Sequence, residues 1–337
     1  MTTPSAEGAR PADAGRASSP DSHVTDATDG TDAMDTPDNT HDLPQASPDR
    51  HASPDPQASP NPQASTGLPA SDGDPSAPPL LRLVDIGKSF GPVRVLTRIS
   101  LDIPIGQVTA VVGDNGAGKS TLIKTISGIY HQDEGQILWQ GRQVHLHTPK
   151  DATDLGIATV YQDLALADNL DIVANMFLGH ELVKRFQLDE IGMEKTARQT
   201  LADLSVVTVR SVRQAVGSLS GGQRQAVAVA RAVMRQAKLV ILDEPTAALG
   251  VTQTRVVLDL IKRLKSQNIA VIVISHNLTD VQSVADRIAV LRLGRLVAAG
   301  PASQYDAESI VDLMTTGTSK RLAATPAEPS AGSSSEH

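Results

Sequence analysis

Eight consecutive residues have the types and spacing that bind phosphate: Gly113-Asp114-Asn115-Gly116-Ala117-Gly118-Lys119-Ser120. They fit the P-loop pattern G-x-x-x-x-G-K-[ST], in which backbone N–H groups of a glycine-rich loop surround phosphate oxygens. Lys119 supplies a positive charge for the outer phosphates, and Ser120 supplies a hydroxyl for Mg²⁺. The alternative interpretation is a glycine-rich turn that contains an unrelated lysine. The pattern predicts a site for a nucleoside polyphosphate.

The segments on both sides of this loop support that prediction. Thr109-Ala110-Val111-Val112 precedes the loop and is typical of a buried strand. After it, a helix is predicted to begin near Thr121, with Leu122 and Ile126 on one face because they are four residues apart. The loop therefore lies on a strand–loop–helix turn, where the positive end of the helix dipole adds to phosphate binding.

Two acidic residues, Asp243 and Glu244, follow the continuously apolar segment Leu239-Val240-Ile241-Leu242. Such a segment is typical of a parallel strand that is covered on both faces. Ligands of open α/β sheets bind just outside the carboxyl ends of the strands. The two carboxylates are poorly placed for stability there and well placed for a Mg²⁺–phosphate complex.

Two further polar residues follow predicted strands. His276 comes just after the buried strand 270–274, so it is expected at the same sheet edge as the two acids. Its residue type alone fits a structural role as well as a catalytic one. Gln162 follows the short strand 156–161, and nothing local distinguishes it from an ordinary surface residue.

The segment Leu219-Ser220-Gly221-Gly222-Gln223 is predicted to begin a helix that Ser220 caps. A capped helix start with two glycines is either a second place that accepts an anion or an ordinary flexible cap. The helix has a stripe of apolar residues at the spacing of a core-facing side. The stripe is Ala226, Val229, Ala230 and Val233.

A small antiparallel sheet is predicted around the P-loop unit. The segments 81–86 and 99–103 alternate apolar and polar residues, as strands with one wet face do, and 136–139 is a candidate third strand. Phe90 is expected in the turn between the first two strands. It is interpreted either as a ring that stacks on adenine or as an ordinary turn aromatic.

The two ends of the chain have a different composition from the rest. Residues 1–79 contain 14 of the 21 prolines and repeats such as Gln45-Ala46-Ser47-Pro48 and Gln57-Ala58-Ser59-Pro60. This composition predicts a disordered tail, and residues 316–337 are predicted to be a second one. The first tail has a net charge of −10 and the whole chain −8, which leaves about +2 for residues 80–337.

Composition also argues against several classes of protein. There is no apolar run of 18 or more residues and no basic start followed by an apolar core, so neither a membrane span nor a secretion signal is expected. The absence of cysteine excludes disulfides and thiolate metal sites. The seven aromatic residues are too few for a base-stacking surface, so no nucleic-acid partner is expected. A soluble cytoplasmic protein is predicted.

Together these motifs resemble the ATP-binding subunit of an ABC transporter over residues 80–315. The resemblance implies an α/β fold: a P-loop NTPase cassette with a mostly parallel core sheet, a small antiparallel β subdomain, and an inserted helical subdomain at about 163–217. The matching motifs are Walker A (113–120), the unaltered LSGGQ signature (Leu219–Gln223), Walker B (Asp243-Glu244), the Q-loop (Gln162), the H-loop (His276) and the adenine-stacking A-loop (Phe90).

The resemblance assigns a role to each of these residues. Lys119 and the backbone of 113–121 hold the β- and γ-phosphates of ATP, and Ser120, Gln162 and Asp243 organise Mg²⁺. The chemistry implied is phosphoryl transfer to water by positioning and charge stabilisation.

The remaining motif residues concern hydrolysis and dimerisation. Glu244 polarises the attacking water, and His276 contacts the γ-phosphate. Ser220, Gly222 and Gln223 act across a head-to-tail homodimer, on the ATP that the other protomer holds.

Two details resemble bacterial importers of ribose, xylose or fructose that have a single cassette. Ala247-Ala248-Leu249 is followed by Gly250 where the family often has Asp, which puts the usual D-loop contact in doubt, and Asn175–Gly179 reads Asn-Met-Phe-Leu-Gly. The resemblance implies a membrane permease that contacts 163–190, an extracytoplasmic sugar-binding protein, and a location at the cytoplasmic face of the membrane. The alternatives are a cassette for another transported substrate and a soluble ABC protein of translation or DNA repair.

Overall fold

Apolar strands build two main sheets and one small hairpin. A computed structural model describes residues 78–206 and 209–319, which belong to one compact unit. The strands are β1 (Leu81–Phe90), β2 (Val93–Ile103), β3 (Val108–Gly113), β4 (Glu134–Trp139), β5 (Arg142–Val144), β6 (Ile157–Val160), β7 (Val183–Lys184), β8 (Gln187–Leu188), β9 (Leu239–Asp243), β10 (Ala270–Ile274), β11 (Arg287–Arg292) and β12 (Arg295–Pro301).

Helices cover the faces of the larger sheet and form an insertion beside it. The helices are α1 (Lys119–Ile126), α2 (Pro149–Leu155), α3 (Ile172–Phe177), α4 (Glu190–Asp203), α5 (Gly221–Met234), α6 (Val251–Ser266), α7 (Leu278–Val284) and α8 (Ala307–Thr316).

The six-stranded sheet has the order β12-β11-β3-β10-β9-β6. All neighbouring pairs are parallel except β11 and β12, which form an antiparallel hairpin at one edge. β3 and β10 are buried along their whole length, as expected for strands with layers on both faces. The prediction of a mostly parallel core sheet is confirmed.

The predicted antiparallel sheet is also present, with the order β2-β1-β4-β5. It is joined to the P-loop through Gly294, in the turn between β11 and β12. The Thr97 N–H donates to the Gly294 carbonyl (2.8 Å), and the Gly294 N–H donates to the Ala117 carbonyl (3.0 Å). Gly294 has φ +75°, and a Cβ there would lie 2.2 Å from the Val95 carbonyl oxygen, so only glycine fits.

The predicted helical insertion contains α3 and α4, which pack on α5 through buried residues such as Met176, Phe177 and Leu201. Two elements that we did not predict lie in or near it. One is the hairpin of β7 and β8. The other is α2, although Thr148 and Asp151 form a capping box with proline at the first helical position, a signal that the sequence contains.

The two predicted tails fall almost wholly outside the described residues, since only 78–79 and 316–319 of them are included. None of the helices between residues 78 and 319 combines the length and the apolar character that a bilayer span requires.

Candidate nucleotide-binding site

The P-loop connects β3 to α1, as the sequence predicts. The side chain of Lys119 is buried and turns back over the loop: its Nζ donates to the carbonyls of Gly113 (2.8 Å) and Asp114 (3.0 Å). This contact holds the ammonium group at the centre of the loop. It lies where the phosphate groups of a nucleotide bind in loops of this pattern.

The loop glycines are required for two different reasons. Gly116 (φ +79°) and Gly118 (φ +103°) have left-handed backbone conformations that residues with a Cβ rarely adopt. Gly113 needs space instead, because a Cβ there would lie 2.4 Å from the carbonyl oxygen of Leu291. Gly118 is the N-cap of α1 without any side-chain cap, so the first N–H groups of the helix are left for a ligand.

A cavity of about 200 Å³ lies directly over this helix start. The residues that line it are Val95, Asn115, Gly116, Gly118, Lys119, Ser120 and Thr121. Six of them belong to the predicted phosphate-binding set. Val95 of β2 was not predicted, because no local signal connects a strand of the small sheet with the P-loop.

The carboxyl ends of four adjacent parallel strands bring the other predicted residues to the same edge of the sheet. The P-loop follows β3, His276 follows β10 by two residues, and Asp243 ends β9 with Glu244 next to it. Gln162 lies two residues beyond β6, the outer neighbour of β9. The expectation that His276 shares a sheet edge with the two acids is therefore correct, and the strand order also brings the P-loop and Gln162 to that edge.

Glu244 and His276 are in direct contact. The Nδ1 atom of His276 lies 2.8 Å from Oε2 of Glu244, and the side chains are 69 % and 18 % exposed. The Glu244 N–H donates to the Ile274 carbonyl (2.9 Å), which fixes its backbone between β9 and β10. Glu244 has φ +50°, a conformation that is costly for a residue with a Cβ and is often found at functional sites.

Asp243 lies in an environment that disfavours its negative charge. Burial raises the pKa of its carboxyl, and the charge of Glu244 raises it further, while Lys119 and Lys124 act in the opposite direction. Two neighbouring carboxylates with partial burial favour a bound cation. Asp243, together with oxygen atoms of Ser120 and Gln162, offers the hard ligands that suit Mg²⁺, so this set of donors fits the ion.

The segment after Gln162 is held by two side chains whose contacts with it were not predicted from the sequence. Arg231 of α5 donates to the carbonyls of Leu164 (3.1 Å) and Ala165 (3.0 Å). Asn175 of α3 is fully buried and both accepts from the Ala167 N–H (2.7 Å) and donates to the Ala167 carbonyl (3.0 Å). The Gln162 loop is therefore attached to α5 and α3 of the helical insertion.

The LSGGQ segment begins α5 with a capping box. The Ser220 side chain accepts from the Gln223 N–H, and the Gln223 side chain accepts from the Ser220 N–H (2.9 Å). The cap predicted from Ser220 is thus confirmed. Gly222 is buried against Gln253 of α6, since an added Cβ would meet the Gln253 backbone at 3.2 Å, so its neighbour in this chain is α6.

Phe90 is the last residue of β1 and not a turn residue, because β1 extends further than its alternating pattern does. The residue is 42 % exposed, and its ring meets the ring of Tyr130 edge to face, with 5.0 Å between centroids. The Lys88 Nζ lies 5.4 Å from the Phe90 centroid and 2.7 Å from Asp133 Oδ1. The Ser89 N–H donates to Oδ2 of the same carboxylate (2.6 Å), so Asp133 fixes the two residues before Phe90.

Comparison with known proteins agrees with this geometry. Residues 96–247 match the family model described as ABC transporter. The xylose/arabinose import ATP-binding protein of Sulfolobus acidocaldarius is 44% identical over 236 residues, which are 70% of this chain and 94% of that protein. The chain belongs to the ABC transporter family. Another relative, the fructose import ATP-binding protein of Rhizobium meliloti, is 45% identical over 244 residues, with the same shares of each chain.

Solved structures confirm the fold of this ABC cassette. The ADP conformation of an ATP-binding cassette of an ABC transporter has a TM-score of 0.60 and 27% identity, and the match covers 70% of this chain and 95% of that one. The predicted fold class, an ABC cassette of the P-loop NTPase type, is therefore confirmed. Membership of the family implies that the chain binds a nucleotide.

The D-loop region of the cassette has its own backbone features. Ala248 has φ +59°, and Gly250 is the N-cap of α6 without a side-chain cap. Glycine at position 250 is exposed and a Cβ there would meet no atom within 4 Å, so neither space nor backbone conformation requires it. Nothing in the fold of one chain explains why this position is not Asp.

Proposed function

We propose that this cassette hydrolyses ATP to power the import of a monosaccharide through a membrane permease. The observation that carries the proposal is the similarity to two sugar import ATP-binding proteins, 44% and 45% identical, each matched over 94% of its length. The arrangement of a P-loop, two carboxylates and a histidine along one sheet edge supports the ATPase part of it.

In the proposed mechanism, Lys119 and the N–H groups of 113–121 bind the phosphates, and Phe90 stacks on the adenine. Ser120, Gln162 and Asp243 would hold Mg²⁺, which neutralises phosphate charge when it is bound. Glu244 orients the attacking water and accepts its proton. His276, which contacts Glu244 at 2.8 Å, orients that carboxylate and reaches the γ-phosphate.

The proposed active form is a head-to-tail homodimer. The capped start of α5, which contains Ser220, Gly222 and Gln223, is partly exposed at Ser220 and Gln223, and the positive end of its helix dipole suits a phosphate. In the dimer this terminus completes the site of the other protomer. Each ATP would then be held by the P-loop of one chain and the α5 start of its partner.

The proposed contact with the permease is the helical insertion, mainly 163–190. Between this insertion and the core sheet lies a cavity of about 330 Å³, bordered by β6 and α5 and by Leu178. Arg231, which holds the Gln162 loop, is one of its lining residues, so a permease segment there would act on the loop directly. The subunit would in this way be held at the cytoplasmic face of the membrane, and a sugar-binding protein outside the cell would select the sugar together with the permease.

Transport by a gene-deletion strain tests the proposal. Loss of the gene should abolish uptake of one or a few pentoses or hexoses, and wild-type protein should restore uptake whereas Lys119→Ala should not. Normal uptake across a panel of monosaccharides, with a defect in peptide, metal or drug transport, would assign the cassette to another substrate. Normal transport of every compound would favour a soluble ABC protein without a transport role.

A further inference from the structure

The exposed apolar residues of the cassette are concentrated in one short segment. Among the described residues, 13 large apolar side chains are exposed, and six of them lie between positions 178 and 191. They are Leu178, Leu182, Val183, Phe186, Leu188 and Ile191. Scattered exposed apolar residues are normal, but such a concentration marks an interaction surface.

The centre of this segment is the hairpin of β7 and β8, here called the tip hairpin (residues 182–188). All four of its strand residues are exposed, so neither face packs on the body of the protein. Val183 pairs with Leu188 on one face and Lys184 with Gln187 on the other. An isolated two-stranded hairpin is only marginally stable in water, so this one lacks the packing that normally maintains such a ribbon.

The turn of the tip hairpin is strained in a way that exposes an aromatic ring. Arg185 (φ +51°) and Phe186 (φ +68°) both have left-handed backbone conformations, as a type I′ turn requires. Such turns usually contain Asn-Gly, whereas bulky residues are costly there. Phe186, one of only three phenylalanines in the chain, is fully exposed.

Charge is distributed unevenly along the tip hairpin. Lys184 and Arg185, beside the exposed ring, have no ion pair or hydrogen bond through their side chains within residues 78–206 and 209–319. The acidic residues are at the base, where the Asp189 N–H donates to the Leu182 carbonyl (2.8 Å). Asp189 caps α4 through the Gly192 N–H (2.9 Å), so its carboxylate is engaged away from the tip.

We propose that the tip hairpin docks on the anionic surface of a lipid bilayer. Phe186, Val183 and Leu188 would enter the boundary between headgroups and acyl chains, while Lys184 and Arg185 remain at the level of the phosphates. Free cations beside an apolar tip complement an anionic headgroup layer, which attracts basic residues near its surface. The bilayer supplies the apolar environment that the hairpin lacks in its own fold.

This inference rests on the proposed function in one respect: a permease brings the cassette to a membrane. It narrows the proposed permease contact, because it assigns residues 182–188 of the segment 163–190 to lipid. Each cassette would then be held at two places, by the permease and by the bilayer, and this would fix its orientation relative to the membrane. Vesicle binding is independent of the transported substrate, so it can fail while the proposed transport function stands.

The test is flotation of the full-length chain with vesicles of phosphatidylcholine, with and without phosphatidylglycerol, in the absence of permease. We expect binding that requires the anionic lipid and decreases with salt. Phe186→Ser should weaken it about ten-fold or more, as expected for removing a buried aromatic side chain. Lys184→Gln and Arg185→Gln should each weaken it about five-fold.

Leu293→Ser is the matched control. Leu293 is also an exposed apolar residue (73 %) with positive φ (+45°) in a hairpin turn, between β11 and β12, and its substitution should not change vesicle binding. Unaltered ATP hydrolysis in solution would show that Phe186→Ser is folded. Equal binding of wild-type protein to neutral and anionic vesicles, or undiminished binding of Phe186→Ser, would overturn the proposal. A loss of permease binding by Phe186→Ser without any change in vesicle binding would assign the tip hairpin to a protein partner instead.

Discussion

Both the backbone and the carboxylate of Glu244 are held in place at the sheet edge. Its backbone is fixed by the Ile274 carbonyl in a left-handed conformation, and its carboxylate contacts His276. For the proposed role of orienting water, a side chain held in this way is preorganised, because its backbone and its carboxylate are already fixed. Such strain is maintained where the surrounding structure enforces it.

The first prediction concerns Glu244→Gln, which removes the negative charge and retains the size and a hydrogen bond to His276. ATP should still bind, since Lys119, Ser120 and Asp243 remain. Hydrolysis should fall by a factor on the order of 10² or more, the scale of losing a positioned base. Phosphate release and nucleotide binding, measured on the same preparation, check both parts.

Light scattering with Mg-ATP adds a second measurement to this experiment. Glu244→Gln should accumulate as a dimer that holds two ATP molecules, whereas Lys119→Ala, which cannot hold nucleotide, should stay a monomer. Hydrolysis by Glu244→Gln at nearly the wild-type rate would show that another residue orients the water.

The second prediction follows from the pKa of Asp243, which burial and then Glu244 raise. A carboxyl whose pKa is higher in the folded than in the unfolded state contributes stability below the unfolded value, and loses it as pH rises through the folded value. The ionised carboxylate therefore costs stability at neutral pH. Asp243→Asn, without Mg²⁺ or nucleotide, should melt at a higher temperature at pH 7, by about 2–4 °C for each kcal/mol of relief.

The gain should shrink on acidification and disappear at about pH 3 or lower, below the ordinary Asp pKa of about 3.9, where the carboxyl is mostly protonated in both states. Asp133→Asn is the control of opposite sign, because the Lys88 side chain, and next the Ser89 N–H, lower the pKa of Asp133. It should melt at a lower temperature than wild type at pH 7 and approach it on acidification. A lower melting temperature for Asp243→Asn at pH 7 would contradict the assigned electrostatics.

At the scale of the element, the hairpin of β1 and β2 connects the P-loop with Phe90, the proposed adenine-stacking residue, which is here called the platform. Phe90 lies at the end of β1, and Val95, two residues beyond the start of β2, lines the cavity over the P-loop. The segment after α1 contacts this hairpin at three places. Tyr130 meets the Phe90 ring, Asp133 pairs with Lys88, and Glu134 pairs with Arg94. The position of the platform thus depends on residues outside the predicted motifs.

The third prediction tests this support. Asp133→Asn should raise the KM for ATP several-fold with little change in kcat, since it releases Lys88 and Ser89 and so loosens Phe90. Binding of inorganic tripolyphosphate, which has no base to stack, should be unchanged. Phe90→Ala should have the larger effect, about five-fold or more, because stacking on an aromatic ring is worth about 1–3 kcal/mol per base.

Asp102→Asn serves as the matched control for this experiment. Asp102 of β2 forms an exposed ion pair with Arg82 of β1 (2.7 Å) in the same sheet. Arg82 lies near the start of β1, whereas Phe90 is its last residue. The variant should keep the wild-type KM. Equal weakening of ATP and tripolyphosphate by Asp133→Asn would mean that Asp133 supports the P-loop and not the platform.

The sequence was sufficient to place the P-loop, Asp243-Glu244 and His276 at one sheet edge, since each follows a strand with a clear apolar pattern and the carboxyl ends of parallel strands share an edge. It was not sufficient for residues that act through contacts between distant elements. Arg231 meets Leu164 and Ala165 across 66–67 positions of the chain, and nothing near Arg231 indicates this. The tip hairpin was missed because its two strands are only two residues long and its turn lacks the usual Asn-Gly.

At the scale of the whole molecule, the fourth prediction concerns the first tail, which is rich in proline and poor in large apolar residues. Deletion of residues 1–75 should leave ATP hydrolysis unchanged and the melting temperature within about 1–2 °C, since such a segment buries little apolar surface. Hydrolysis assays and calorimetry on the full and shortened chains check this. A large decrease in either quantity would show that the tail packs on the cassette.

The strand order of the central sheet has a consequence for how the molecule is made. β3, which leads into the P-loop, pairs with β10 and β11, and these strands are synthesised long after it. A growing chain that ends before residue 287 presents β3 with an unpaired edge, and its Gly113 lacks the Leu291 carbonyl that packs against it. Folding therefore depends on contacts between distant parts of the chain, which form slowly. An interrupted chain would therefore expose the unpaired edge of an apolar strand, which is prone to aggregate.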